Sequence, residues 1–122
     1  MKGHSFYIVK KINASFMLAH KAKLADSFMS RLFGLIGKRT FNSGEGLLLT
    51  PCNSIHSFFM DFKIDVLFLD KSQQVIFLLE GMPPNRISPV IKNSLWVIEL
   101  PEGIIASTGI RIGDQIGITP AR

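Results

Sequence analysis

Cysteine is nearly missing from this chain: Cys52 stands alone in 122 residues. A lone cysteine forms no internal disulfide, which excludes a small secreted scaffold held together by bridges. No apolar run approaches the ~20 residues that a membrane-spanning helix needs. The opening stretch "MKGHSFYIVKKINASFMLAHKAK" is interrupted by Lys10, Lys11, His20 and Lys21, so no signal-peptide core forms there. Repeats, linkers and low-complexity tracts are also missing. One soluble, cytoplasmic domain over residues 1–122 is therefore expected.

Acid is scarce in the first third. Residues 1–40 carry eight Lys or Arg against Asp26 alone, whereas residues 41–122 carry six basic and eight acidic residues. The net charge of +5 thus comes from an N-terminal third at +7 and a remainder at −2. A basic third can meet a polyanion, an anionic membrane or an acidic partner. It can equally be a solvated face, and no nucleic-acid motif accompanies it.

What is abundant is apolar filling, with 47% hydrophobic residues and ten phenylalanines. "SFYIVKKI" (5–12) and "FMLAHKAKLA" (16–25) predict two strands joined at Asn13-Ala14. "DSFMSRLFGLIG" (26–37) predicts a helix, with Asp26 or Ser27 at its start and Gly37 at its end. "LLLT" predicts a short strand closed by Pro51. "IDVLFL" (64–69) has strand length and no polar face, which predicts burial on both sides. "DKSQ" (70–73) turns the chain into "QVIFLLE" (74–80). "GMPPNRISP" (81–89) reads as a surface loop because its prolines remove donors. "SLWVIEL" (94–100) predicts another strand, "PEGIIASTG" a short helix or turn, and "IRIGDQIGI" (110–118) a final strand with its turn at Gly113-Asp114. Seven or eight strands that do not alternate with helices predict a mainly β fold with one or two short helices. A compact β-sandwich or a partly closed barrel, with a helix over one open end, fits this pattern.

Few motifs survive inspection. "GLIGK" (34–38) lacks the glycine spacing and the Ser or Thr of a phosphate loop. "GIRIGDQI" (109–116) has no glycine-rich loop opening a strand, as carboxylate-binding modules require. The richest stretch is "CNSIHSFFMDFKIDVLFLD" (52–70), which gathers Cys52, His56, Asp61 and Asp65 among phenylalanines and aliphatics. Cys52 and His56 alone make half a zinc site, so no metal is assigned. If residues 55–60 are extended, His56 shares a face with Phe58 and Met60, as in a pocket wall. Asp65, at the start of the buried strand, must find a donor: Arg31, His56 or backbone N–H groups.

In that order "RLFGLIGK" (31–38), "GEGLLLTPCNSIHSFFMDFKIDVLFLD" (44–70), "WVIELPEG" (96–103) and "GIRIGD" (109–114) resemble the blocks of family 192 of the domains of unknown function. The resemblance covers roughly residues 15–118. It implies a β-rich fold of jelly-roll character and carries no activity. Arg31, Gly34, Leu35, Gly46, Cys52, His56, Met60, Ile64, Asp65, Glu99, Leu100, Gly103, Gly113 and Asp114 fall on its pattern. Lys38, Asp61 and Lys63 depart from it.

These observations lead to a domain that binds a small ligand or protein partner at a pocket lined by His56, Phe58, Met60 and Asp65, with Arg31 nearby. A competing reading is a small hydrolase- or transferase-like enzyme. There Cys52 would be the nucleophile, His56 the base and Asp65 the group orienting the imidazole. A third is a structural or assembly partner working through the basic N-terminal third. None of the three requires a cofactor.

Overall fold

The computed structural model describes residues 6–27 and 40–121. Seven strands form one sheet: β1 (Tyr7–Lys11), β2 (Met17–Ala25), β3 (Glu45–Leu49), β4 (Ile64–Leu69), β5 (Val75–Met82), β6 (Trp96–Pro101) and β7 (Ile116–Pro120). Among the described residues one short helix, α1 (Ile104–Thr108), follows β6. The strand order is β5-β4-β6-β3-β2-β1-β7. Neighbours are antiparallel except β2 and β3, which run parallel. The sheet curls into a half-barrel, so the partly closed barrel is the form adopted. Apart from Asp26 and Ser27, the helix expected over residues 26–37, and Arg31 with it, lies outside the described residues.

The curl brings the two edge strands together at one end. Gln74 and Gln115 form an isolated bridge. Beside it the amide of Ile116 donates to the Gln73 carbonyl at 2.9 Å, and that of Gly113 to the Val75 carbonyl at 2.8 Å. On the inner side the sheet is made tight by small residues. A Cβ on Gly46 would stand 3.3 Å from that of Ala19 and 3.4 Å from that of Ala22.

Every residue of β4 is buried, as its unbroken apolar run predicts. Alternation then divides the core. Leu67 and Leu69 point inward with Tyr7, Val9, Leu48 and Ile98, while Ile64, Val66 and Phe68 point outward with Leu47, Leu49 and Val97. The outer layer is kept from water by Ile55 and Met60, with Phe41, Cys52 and Phe62 half-buried beside them. Strands covered on both faces, as β4 and β6 are, have no solvated side for a polar residue, yet two acids sit in them. Asp65 pairs with Leu100 and Glu99 with Val66, so the two side chains leave the sheet on opposite faces.

Asp65 is fully provided for. Its Oδ1 accepts the Gly81 amide at 2.9 Å, and its Oδ2 accepts those of Gly103 at 3.1 Å and Ile105 at 2.9 Å. Of the donors expected for it, backbone N–H groups are the ones that arrive. They do so because the chain bends twice. The β4–β5 register slips between Ile64 and Val66, which makes a bulge in β5, and Gly81 sits there at φ 61°. Gly103, at φ 98°, turns the end of β6 into α1. Both backbones lie in the left-handed region that glycine enters without strain. The bulge also carries β5 through Met82, two residues into the stretch expected to be loop.

Glu99 has no such help. It lies between Leu47 of β3 and Val66 of β4. Its Oε1 is buried with no hydrogen-bond partner, and burial pushes its pKa up from 4.5 to about 8.

Two stability predictions follow from this contrast. Asp65→Ala should lower the unfolding free energy by roughly 3 kcal/mol, and Asp65→Asn by somewhat less, since one amide donor would then face an N–H₂; urea midpoints measure both. For Glu99 the native state holds a proton that the unfolded chain releases, so this group's contribution to stability is full below the unfolded pKa of 4.5 and is lost as pH rises toward about 8. Glu99→Gln should therefore gain on the wild type by roughly 1.4 kcal/mol per pH unit between about pH 5 and about pH 8. A constant difference across that range would show that Glu99 is already ionised in the folded protein.

Candidate functional site

Two irregular segments, residues 51–62 and 83–95, lie over the outer layer and are laced together by their backbones. The Cys52 amide donates to Leu95 at 2.9 Å, Ile91 to Asn53 at 2.8 Å, Ser88 to Ile55 at 2.8 Å and Ser57 to Arg86 at 2.8 Å. Serines complete the lacing where a ladder bond is missing. The Oγ of fully buried Ser57 donates to the Pro83 carbonyl at 2.6 Å and accepts the Arg86 amide at 2.9 Å. Ser88 Oγ accepts the Ile55 amide at 2.9 Å and donates to the Pro89 carbonyl at the same distance. Short hydroxyl side chains suit this task because they reach only neighbouring backbone.

This lacing decides which side chains face out. Ile55 and Ser57 are buried, and His56 and Phe58 alternate with them toward solvent. The expected alternation then stops. Phe59 takes a left-handed backbone at φ 65°, closing a turn in which the Met60 amide donates to the Ser57 carbonyl at 3.3 Å. The turn leaves Phe59 outside, 76% exposed, and drops Met60 into the core at 7%. Met60 therefore lines the outer layer and does not share a face with His56 and Phe58.

His56 and Phe58 do come together. Their rings stack with centroids 5.3 Å apart and planes at 25°. His56 Nδ1 accepts the Phe58 amide at 3.3 Å, which places the proton of the neutral ring on Nε2. Across the lacing His56 pairs with Ile87, which is 67% exposed, and Asn85 Oδ1 accepts the Phe59 amide at 3.4 Å. Phe58, Phe59 and Ile87 are thus exposed on two segments that these bonds hold together, a candidate apolar platform with the exposed Arg86 next to Ile87.

Asp65 stands apart from the platform: its oxygens serve the bulge and the β6–α1 turn, on the inner face of the sheet. The structure does not bring it to His56, and the orienting acid expected for a Cys52–His56 pair is already committed. The half-buried thiol of Cys52 donates to the Ser54 carbonyl at 3.2 Å. Among the described residues no three His, Cys, Asp or Glu side chains lie close enough to hold a metal ion. Sequence reasoning left out Phe59, Arg86 and Ile87. Phe59 carries no signal of its positive φ, and the Ile87 contact depends on a partner segment some thirty residues away. Glu99 was named only as a position on the family pattern, although an acid within the apolar strand "WVIEL" is itself a signal.

Comparison with known proteins is consistent with this fold. A UPF0127 protein of Thermococcus kodakarensis is 36% identical over 104 residues, covering 82% of this chain. One from Pyrococcus abyssi is 34% identical over 102 residues, covering 79% of this chain and 84% of its own length. The chain spans about two-thirds of the length of the Thermococcus kodakarensis protein (66%) and of a Thermococcus sibiricus relative (64%). Among solved structures, a protein of unknown function from Novosphingobium aromaticivorans superposes with a TM-score of 0.81 at 20% identity, over 90% of this chain and 83% of that one. A Sinorhizobium meliloti protein superposes at 0.82 and 22% identity, over 93% and 94%. At these identities the two structures speak to the fold alone. No helix among the described residues is long and apolar enough to cross a membrane. The family model for domain of unknown function 192, described as "Uncharacterized ACR", matches residues 8–118, and the chain belongs to that family.

Proposed function

We propose that this domain is a binding module and that its recognition surface is the platform of His56, Phe58, Phe59 and Ile87, with Arg86 at its rim. One observation carries the reading: a large aromatic, Phe59, is 76% exposed while its own backbone sits at φ 65°. A left-handed backbone is strained for a bulky residue, and a glycine at that position would relieve it. Folding alone gives no reason to keep phenylalanine there, because its ring buries little. Contact with a partner does. The surrounding lacing holds the ring in place before any partner arrives, which lowers the entropy lost on binding.

The partner fits a protein better than a small molecule. Small ligands are enclosed by concave apolar walls, whereas Phe59 and Ile87 protrude and offer apolar contact to a segment of a partner chain. Aromatic anchors with a neighbouring arginine are the side chains that dominate protein interfaces. Catalysis by Cys52 and His56 has less support, since Asp65 is engaged elsewhere and the thiol donates to a backbone carbonyl. A cytoplasmic setting belongs to the same proposal, since a chain with one cysteine builds no internal disulfide.

A displayed peptide library panned on the wild-type protein and on the Phe59→Ser, Ile87→Ser double variant tests the assignment. Peptides that bind the wild type and lose about tenfold or more on the variant are expected. If no sequence is enriched, or if enriched peptides bind both proteins alike, the platform is not a recognition surface. Phe59→Gly offers a separate check: it should raise the unfolding free energy by roughly 1 kcal/mol while removing peptide binding. A loss of stability instead would mean that the ring supports the fold.

A further inference from the structure

A second exposed apolar cluster lies at the end of the barrel where the edge strands meet, and it has a different chemical character. Three segments converge there. The Ile12 amide donates to the Gln115 carbonyl at 2.9 Å, Lys10 pairs with Met17 across the β1–β2 hairpin, and Gln74 bridges Gln115. The Gln115 side chain also donates to the Ser72 carbonyl. The hairpin 12–16, the turn 70–74 and the turn 110–115 are thereby held against one another.

Large apolar side chains stand out from these segments. Ile112 is 63% exposed, Met17 54%, Ile12 43% and Phe16 37%. Around them Lys10, Lys71 and Arg111 are exposed. The two acids of the same segments are turned inward on structural duties. Asp70 Oδ1 accepts the amides of Ser72 at 2.9 Å and Gln74 at 3.0 Å. Asp114 accepts the Arg111 amide at 2.9 Å and pairs with Lys11 at 3.5 Å. The result is an oily tip with a positive collar.

We propose that this end of the barrel docks on an anionic lipid surface, with Ile12, Phe16, Met17 and Ile112 entering the headgroup boundary and Lys10, Lys71 and Arg111 facing the lipid phosphates. The two halves of the surface select this partner together. A polyanion such as RNA would satisfy the collar but offers no apolar phase for isoleucine and methionine, and among the described residues no stacked array of aromatics stands at this tip to hold its bases. A second copy of the chain would cover the oil but would set the two collars against each other. A bilayer interface accepts apolar side chains and attracts lysine and arginine at once. This surface is distinct from the Phe59 platform and does not depend on it.

Flotation with vesicles of phosphatidylcholine, with and without about a third phosphatidylserine, tests the inference at about 0.1 M and about 0.5 M salt. The protein should float with the anionic vesicles at low salt, less at high salt, and little with neutral ones. Phe16→Ser combined with Met17→Ser should weaken partitioning by about tenfold or more with the charge unchanged. Lys10→Glu with Lys71→Glu should abolish the preference for anionic lipid, and Phe59→Gly should leave flotation intact. The substituted residues are exposed, and unchanged urea midpoints would confirm that the variants fold. Flotation that ignores the Phe16 and Met17 substitutions, equal binding to neutral vesicles, or failure to bind vesicles at all would each overturn the proposal. Retention of RNA, or dimer formation without vesicle binding, would reassign the surface.

Discussion

At its centre, in β3, β4 and β6, the sheet is buried on both faces, and that constraint governs the polar groups placed there. A carboxylate in such a layer costs several kcal/mol unless donors surround it. Asp65 meets the constraint by recruiting three backbone amides, and the chain must distort in two places to deliver them. The bulge at Gly81 bends the edge strand, and Gly103 turns the chain into α1. One acid thus couples the shape of β5 to the path leaving β6. The start of the only described helix is tied to that acid through the Gly103 and Ile105 amides.

Glu99 shows the opposite solution to the same problem. It meets the apolar outer layer with no donor for Oε1, and burial favours its neutral form. Asp65 and Glu99 are within one strand of each other and point to opposite faces. Their difference in environment comes from where the turns fall, since the turns that provide amides all lie at one end of the inner face. A neutral acid is a donor as well as an acceptor, so Glu99 adds chemical character to a layer otherwise made of Leu, Val, Phe and Met.

The laced segments above that layer separate two demands that ordinary loops leave mixed. Their serines and backbone groups satisfy one another, which makes them stiff. Their large side chains are then divided, with Ile55 and Met60 sealing the core and Phe58, Phe59 and Ile87 left in water. Strain at Phe59 is tolerated because the surrounding bonds over-determine the turn. The same division recurs at the barrel mouth, where acids hold the loops and leave the basic side chains outside. In both places the fold spends its polar groups inward and presents apolar ones outward, the reverse of what solubility alone would select.

Much of this architecture could be read along the chain, because strand patterns and turn residues act over short distances. The unbroken run at residues 64–69 is enough to require a strand with two buried faces, and the hairpin at Asp70 follows from a carboxylate that caps its own turn. Asp65 could be read as needing donors, and so could the need for a turn near Gly113-Asp114. The identity of those donors was decided in three dimensions, since Gly81 and Gly103 reach Asp65 only after β4, β5 and β6 have paired. The fate of residues 56–60 was decided there as well. Alternation places His56 with Phe58, but only the bonds from residues 83–88 turn Phe59 outward and bury Met60. Periodicity is a local property of the backbone, whereas the pairing of distant loops depends on the closed sheet beneath them.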